Sequence, residues 1–223
     1  MAIARIHLQN LAFSFSLKSP VVKMVRYYLL TWKSVIGPNV SAFTPDEVRS
    51  DQKLVLSLLD STVLPFDFNL VKLTPQHDGL EMGHELSGIA DIWPDYMPNN
   101  LAWPLVSSKM RTIIDGYLTH DEELCWLSAK VNGDGETREY YIARFDSLHD
   151  VLDNEQTTYV PGTDHVIRPW FASAKLNDLS IFPLPQGFDL WRVTSSLYVC
   201  ESLKQHLETE DVTGVAFEQV RVS

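Results

Sequence analysis

The stretch ELCWLSAKVNGDGETREYYIARF (residues 123–145) decides the fold class. Two runs rich in aromatic and aliphatic residues, ELCWLSAKV and REYYIARF, flank the turn-forming segment 132–137. Asn-Gly and Asp-Gly between two such runs are typical of a β-hairpin, because these residues accept the backbone angles of a tight turn. The sequence therefore predicts two antiparallel strands joined by a short connection.

Helical spacing of apolar residues predicts two main helices, at about 105–118 and 195–209. In each segment the apolar side chains recur every three or four residues, so that they share one face of a helix. These residues are Val106, Met110, Ile113, Ile114 and Tyr117 in the first segment, and Leu197, Cys200, Leu203 and Leu207 in the second.

Further short elements are expected along the chain. A helix start is predicted at Thr44–Glu47, where Thr44 can cap and Glu47 can complete a capping box. Strands are expected in MVRYYLLTWK, SGIADIW, HVIRPWFA, LSIFPL and VTGVAFEQV. Because strands and helices occur in blocks and do not alternate regularly, the predicted class is α+β with mostly antiparallel sheets.

Residues 1–23 differ from the remainder of the chain. They contain no Asp or Glu, and Gln9 and Asn10 interrupt the apolar run that a signal peptide would need. We expect residues 1–23 to be a poorly ordered N-terminal extension and residues 24–223 to form a single domain.

The charge distribution limits the classes of partner. The formal net charge is −11, with five basic and no acidic residues in 1–45 and a net charge of −16 in 46–223. Phosphate backbones and acidic membranes require a basic face, so binding of nucleic acid or of a membrane is not expected. The same charge would attract a basic protein.

The two cysteines indicate the compartment. Cys125 and Cys200 lie far apart, each within an apolar stretch. A secreted domain of this length more often carries several paired cysteines, so two free thiols in a cytoplasmic protein are expected.

The densest polar cluster is HDGLEMGHE, residues 77–85. His77 and His84 with Asp78, Glu81 and Glu85 could hold a divalent metal, but the histidines lack the i, i+4 spacing of a helical zinc motif. The interpretations left open are a small-molecule-binding or hydrolytic site, and a solvated loop whose acids contact a basic partner.

A second cluster follows the first predicted helix. It consists of His120, Asp121, Glu122 and Glu123, and acids at this end of a helix oppose the helix dipole. Because no local stabilisation accounts for three adjacent acids, the candidate contact residues are Asp121, Glu122 and Glu123 first, and Asp78, Glu81 and Glu85 second.

Sequence signatures of catalysis are missing from the chain. It contains no GxxxxGK[ST] loop, no GxGxxG turn and no GxSxG elbow. We expect neither enzymatic activity nor a bound cofactor or metal.

An ordered series of short motifs resembles one protein family. The matching residues are Tyr27, Tyr28, Ser107, Ser108, Lys109, Tyr140, Tyr141, Leu152, Asp153, Ile181, Phe182, Thr213, Gly214 and Phe217. In this order they are similar to the motifs of bacterial polymorphic-toxin immunity proteins of the eleventh catalogued immunity family, formerly a domain of unknown function. The resemblance spans roughly residues 24–222 and is strongest after Pro104.

The resemblance implies a cytoplasmic antidote that binds a cognate toxin through protein–protein contact and blocks it. It implies no catalytic residues and identifies no toxin contact residue by residue. The acidic charge adds the expectation that the toxin presents a basic cleft.

Overall fold

A computed structural model describes residues 26–34, 36–48, 52–119, 121–147, 149–176, 179–185, 193 and 195–223. It confirms the α+β class, with 40% strand, 14% helix, mostly antiparallel sheets and two helices of at least seven residues. The predicted extension at 1–23 lies outside the described residues, and a single domain over 24–223 stays a prediction.

Strands account for most of the regular structure in the described part of the chain. The strands are β1 (Tyr27–Trp32), β2 (Asn39–Phe43), β3 (Phe68–Gln76), β4 (Gly79–Gly83), β5 (Tyr96–Met97), β6 (Leu105–Ser107), β7 (Leu124–Gly133), β8 (Glu136–Phe145), β9 (Thr158–Tyr159), β10 (Val166–Arg168), β11 (Ile181–Pro183), β12 (Leu197–Cys200) and β13 (Val215–Gln219). The helices are α1 (Gln52–Ser57), α2 (Ser108–Asp115), α3 (Glu201–Thr209) and a 3₁₀ turn at Ser173–Lys175.

The predicted hairpin is confirmed as β7–β8, the longest strand pair among the described residues. Its register runs from Leu124 opposite Phe145 to Gly133 opposite Glu136. The two turn residues, Asp134 and Gly135, have φ angles of 49° and 75°. Two consecutive residues with positive φ are the mark of a type I′ turn, whose twist matches that of the flanking strands.

The larger sheet has the strand order β2-β3-β7-β8-β6-β5, and β4 pairs with β3 outside this path. The chain after β5 returns to β2, since the Ala42 N–H donates to the Pro98 carbonyl at 2.7 Å and the Asn100 N–H donates to the Ala42 carbonyl at 3.1 Å. The sheet thus closes into a small barrel. Alternate residues of its strands fill the interior, together with side chains from α1; they include Val40, Ala42, Val55, Leu58, Phe68, Leu70, Leu105, Leu127, Ala129, Val131, Tyr140 and Ile142.

The smaller sheet, β11-β12-β1-β13, is antiparallel and has both faces covered. One face packs with α2, α3 and the outer side of the barrel, and the other carries interlocking aromatic rings. The first core includes Leu30, Val106, Met110, Ile114, Ala143, Phe145, Ile181, Leu197, Val199, Leu203 and Leu207. The second includes Tyr27, Val151, Leu152, Phe171, Leu176, Leu179, Phe182 and Tyr198.

Both main helices are shorter than predicted because a strand precedes each of them. Leu105–Ser107 pairs with β8, and the Ser107 hydroxyl then caps α2 by accepting from the Met110 N–H at 3.2 Å. Leu197–Cys200 pairs with β1 and β11. Pairing with neighbouring strands therefore determines the structure at these positions, although the spacing of their apolar residues is helical. Val106 of the first strand and Leu197 of the second still share one core with the buried residues of the helices that follow them.

Two local predictions are wrong. Residues 44–48 form a turn closed by the Val48 N–H on the Pro45 carbonyl at 2.9 Å and not the first turn of a helix; the described helix α1 is Gln52–Ser57. The SGIADIW segment is irregular, and Ile89, Ile92 and Trp93 pack as half-buried side chains on the barrel core.

Asp95 joins the barrel to the smaller sheet. Its carboxylate accepts from the Ser107 hydroxyl, and it accepts from the Thr213 N–H at 2.9 Å. Its own N–H donates to the Thr213 hydroxyl at 3.0 Å, and the neighbouring Tyr96 N–H donates to the Thr213 carbonyl at 3.0 Å. One acidic side chain thereby fixes the start of α2 and the entry to β13.

Gly214 allows this close approach. Its φ is 77°, and a Cβ at this position would lie 2.5 Å from the Tyr96 carbonyl oxygen and 2.7 Å from the Pro94 Cβ. Gly135 has nearly the same φ, 75°, but open space around it.

These two glycines form a matched pair for a stability test. Gly135→Ala should lower the free energy of unfolding by about 1 kcal/mol, the cost of a left-handed conformation for a residue with a Cβ. Gly214→Ala should cost at least about 2 kcal/mol more, because backbone must also move. Urea denaturation measures both values, and equal losses would contradict the close contact at Gly214.

Candidate functional site

Residues 77–85, predicted as a polar loop, contain the turn and the second strand of a β-hairpin that extends beyond the barrel wall. Strand β3 is nine residues long, but β2 covers only Asn69–Leu73 and β7 reaches only Phe68 and Asn69. The last part of β3 pairs with β4 from Lys72 opposite Gly83 to Gln76 opposite Gly79. We call residues 72–83 the β3–β4 arm.

One face of the arm is apolar. Leu80 and Met82 lie two residues apart in β4 and therefore point to the same side of the strand. Their cross-strand partners on that side are Pro75 and Leu73. Leu80 is 64% exposed and Met82 is 63% exposed. The arm thus exposes two large apolar side chains to solvent, outside the packed core of the barrel.

The opposite face and the ends of the arm are acidic. The Gln76 amide donates to the Glu81 carboxylate at 2.8 Å, which holds Glu81 on the face away from Leu80. Asp78 lies in the turn, and Glu85 follows β4; both are exposed. The Lys72 ammonium donates to the Ser87 carbonyl at 2.6 Å, so this lysine is engaged in tying the base of the arm. The local balance is three carboxylates to one lysine.

The two histidines of the cluster lie at opposite ends of β4. His77 is in the turn, and His84 follows Gly83. Five residues of extended strand separate them by roughly 17 Å, too far for both rings to bind one ion. Over the described part of the chain, no three His, Cys, Asp or Glu side chains are grouped to hold a metal. The two histidine rings of the arm therefore do not lie close enough together to share one ion.

The cluster at 120–123 differs from the expected patch of three exposed acids. Glu122 is fully buried. Its carboxylate accepts from the Thr119 N–H at 2.8 Å, from the Thr119 hydroxyl at 2.6 Å and from the Ser180 N–H at 2.9 Å. The expectation that Glu122 has no local stabilising role is wrong, because it links the end of the α2 region to the start of β11. Its contact with a partner stays a prediction, which the burial of its carboxylate does not favour.

Asp121 and Glu123 are exposed on the same turn, and His120 lies outside the described residues. Glu123 has a φ of 45°, and its carbonyl accepts from the Asp146 N–H at 2.9 Å. The turn therefore offers two exposed carboxylates on either side of a buried one, with no exposed apolar residue adjacent to them in the chain.

A polar and aromatic cluster on the outer side of β7 and β8 was not anticipated from the sequence. The Arg111 guanidinium lies 4.2 Å from the centroid of the Tyr141 ring and 5.9 Å from that of Trp126. The Ser128 and Tyr141 hydroxyls donate to Glu139 and hold the pKa of its carboxyl below the ordinary value. The alternation of residues along β7 and β8 indicated which side chains share this outer face. The sequence did not indicate that α2 packs beside them.

Cys125 is not arranged as a nucleophile. Burial, together with the neighbouring Asp146 carboxylate at 3.2 Å, raises the pKa of the Cys125 thiol. A raised pKa keeps the sulfur protonated at neutral pH and lowers its reactivity.

No protein-family model and no curated protein sequence matches the chain. The membership of an immunity family that the short motifs suggested is therefore a prediction. Among the described helices, none has the length and apolar character needed to cross a membrane.

The two roles of the 121–123 turn can be separated by stability. Glu122→Ala should lower the free energy of unfolding by about 1–3 kcal/mol, because it removes a buried acceptor from the partly buried donors of Thr119 and Ser180. Asp121→Ala should change it by less than about 0.5 kcal/mol, as for most exposed positions. Thermal or urea denaturation of both variants provides the comparison, and a neutral Glu122→Ala would refute the structural role.

Proposed function

We propose that this protein is an immunity protein that binds and inhibits a bacterial toxin, and that the β3–β4 arm is its contact surface. The observation that carries the proposal is the pair of exposed apolar side chains, Leu80 and Met82, on an acidic hairpin outside the core. The motif resemblance supports the same functional class.

Exposed apolar groups on such a hairpin are favourable for protein recognition. Burying Leu80 and Met82 on a partner removes apolar surface from water, which supplies binding free energy at roughly 25 cal/mol per Å² before the costs of association. Methionine adapts its shape to the opposing surface. These two residues would therefore act as anchors, with the carboxylates around them at the rim.

The charge of the chain determines the kind of partner. A net charge of −11 attracts a basic protein over distances of about a Debye length and repels nucleic acid. Asp78 and Glu81 on the arm, and Glu85 just beyond its end, concentrate negative charge in this region. A toxin with a basic cleft is complementary to this surface, and occupation of that cleft by the arm would exclude the toxin's own substrate.

The arm is a better candidate than the 121–123 turn, which the sequence ranked first. In the turn, Glu122 is buried and hydrogen-bonded within the protein. The two exposed acids, Asp121 and Glu123, have no exposed apolar residue adjacent to them in the chain. The arm combines anchor and charge on one element. We propose that inhibition needs neither catalysis nor a cofactor, and that it takes place in the cytoplasm.

The proposal predicts that a gene next to the one for this protein encodes the toxin. The test uses that neighbouring-gene toxin, with binding followed on a biosensor at two salt concentrations. Leu80→Ser combined with Met82→Ser should weaken binding at least about tenfold, mainly through faster dissociation, because the anchors are lost. Higher salt should slow association of the unaltered chain, since steering is screened.

Ile167→Ser is the matched control, because Ile167 is 61% exposed on a different strand. It should bind as the unaltered chain does. Failure of the unaltered chain to bind the toxin would refute the proposed function. Equal binding by the arm variant and by Ile167→Ser would refute the arm as the contact surface.

A further inference from the structure

Strand β4 has an unpaired edge. Among the described residues it pairs with β3 alone. In an antiparallel pair, residues alternate between positions bonded to the neighbour and positions whose N–H and C=O point away. Pro75 lies opposite Leu80 and has no N–H to donate, so this pair is of the outward-pointing type. Met82, two residues on, is of the same type.

The edge lacks the usual protection against pairing. Natural edge strands are commonly blunted by lysine, proline or a bulge, or covered by another segment. The sequence of β4 is Gly-Leu-Glu-Met-Gly, and the register with β3 is regular over all five pairs. Its one charged residue, Glu81, points to a single face and is bonded to Gln76. Strand β2, which stands at the end of the strand order, is in contrast covered, since the segment around Asn99 pairs with Ala42.

We infer that the toxin binds by adding an extended segment to this edge as an additional β-strand; the inference rests on the proposed function. The backbone of that segment pairs with the N–H and C=O groups of Leu80 and Met82. Strand addition obtains affinity from main-chain hydrogen bonds and specificity from alternate side chains.

The two faces of the arm define the chemistry of the added strand. Side chains beside Leu80 and Met82 would be apolar, and those beside Glu81 would be basic, because directly neighbouring opposite charges stabilise a sheet. The expected segment therefore alternates apolar residues with Lys or Arg. A second copy of this chain is disfavoured as the occupant, since it would bring acidic arms together.

Proline substitutions distinguish backbone pairing from side-chain contact. Leu80→Pro removes an outward N–H without breaking the β3–β4 ladder, and Leu80→Ala removes the same side chain but keeps the N–H. The same comparison applies to Met82→Pro and Met82→Ala. Titration calorimetry with the neighbouring-gene toxin should show at least tenfold weaker binding for each proline variant than for its alanine counterpart.

Circular dichroism and thermal melting serve as the folding check. Glu81→Pro removes an N–H that points to β3, so it should lower the melting temperature more than Leu80→Pro does. If a proline variant is destabilised as strongly as Glu81→Pro, amide hydrogen exchange on the unaltered chain replaces it: the Leu80 and Met82 amides should become protected in the complex.

The outcomes separate the two proposals. Equal affinities for matched proline and alanine variants, or amides of Leu80 and Met82 that stay unprotected in the complex, would overturn strand addition and leave toxin binding intact. Absence of binding by the unaltered chain would overturn both.

Discussion

The hydrogen bonds of Asp95 are the constraint on which the arrangement of the two sheets depends. Its carboxylate serves the Ser107 hydroxyl, which caps α2, and the Thr213 N–H, which leads into β13. Hydrogen bonds to a charged acceptor contribute about 1.5–3 kcal/mol each. Gly214 packs on the Tyr96 carbonyl at the same place, so a side chain at position 214 would not fit this approach of the smaller sheet to the barrel.

The β3–β4 arm extends away from this fixed arrangement of the two sheets. The barrel closes through the bridge between Ala42 and Asn99, and the smaller sheet is covered on both faces. The end of β3 runs past β2 and carries β4 into solvent, so Leu80 and Met82 have no core to join. The toxin contact that we propose would cover these two exposed apolar residues.

Local sequence signals predicted the α+β class and the β7–β8 hairpin, since the turn at Asp134 and Gly135 depends only on adjacent residues. They failed where distant pairing decides the outcome: Leu197–Cys200 has helical spacing but is held between β1 and β11. The candidate site shows the same limit. The acids of the arm were predicted, whereas the burial of Glu122 depends on Ser180, 58 residues away. The alternation Leu80-Glu81-Met82 between two glycines was the signal for the arm as a strand.

Contact between the β3–β4 arm and the toxin is tested most directly by the methyl resonances of methionine. The chain contains five methionines. Met82 is 63% exposed, whereas Met97 and Met110 are fully buried and serve as internal references. In a titration of methyl-¹³C-methionine-labelled protein with the neighbouring-gene toxin, the Met82 signal should shift or broaden while those of Met97 and Met110 remain in place. An unchanged Met82 signal at saturating toxin would contradict contact at the β3–β4 arm.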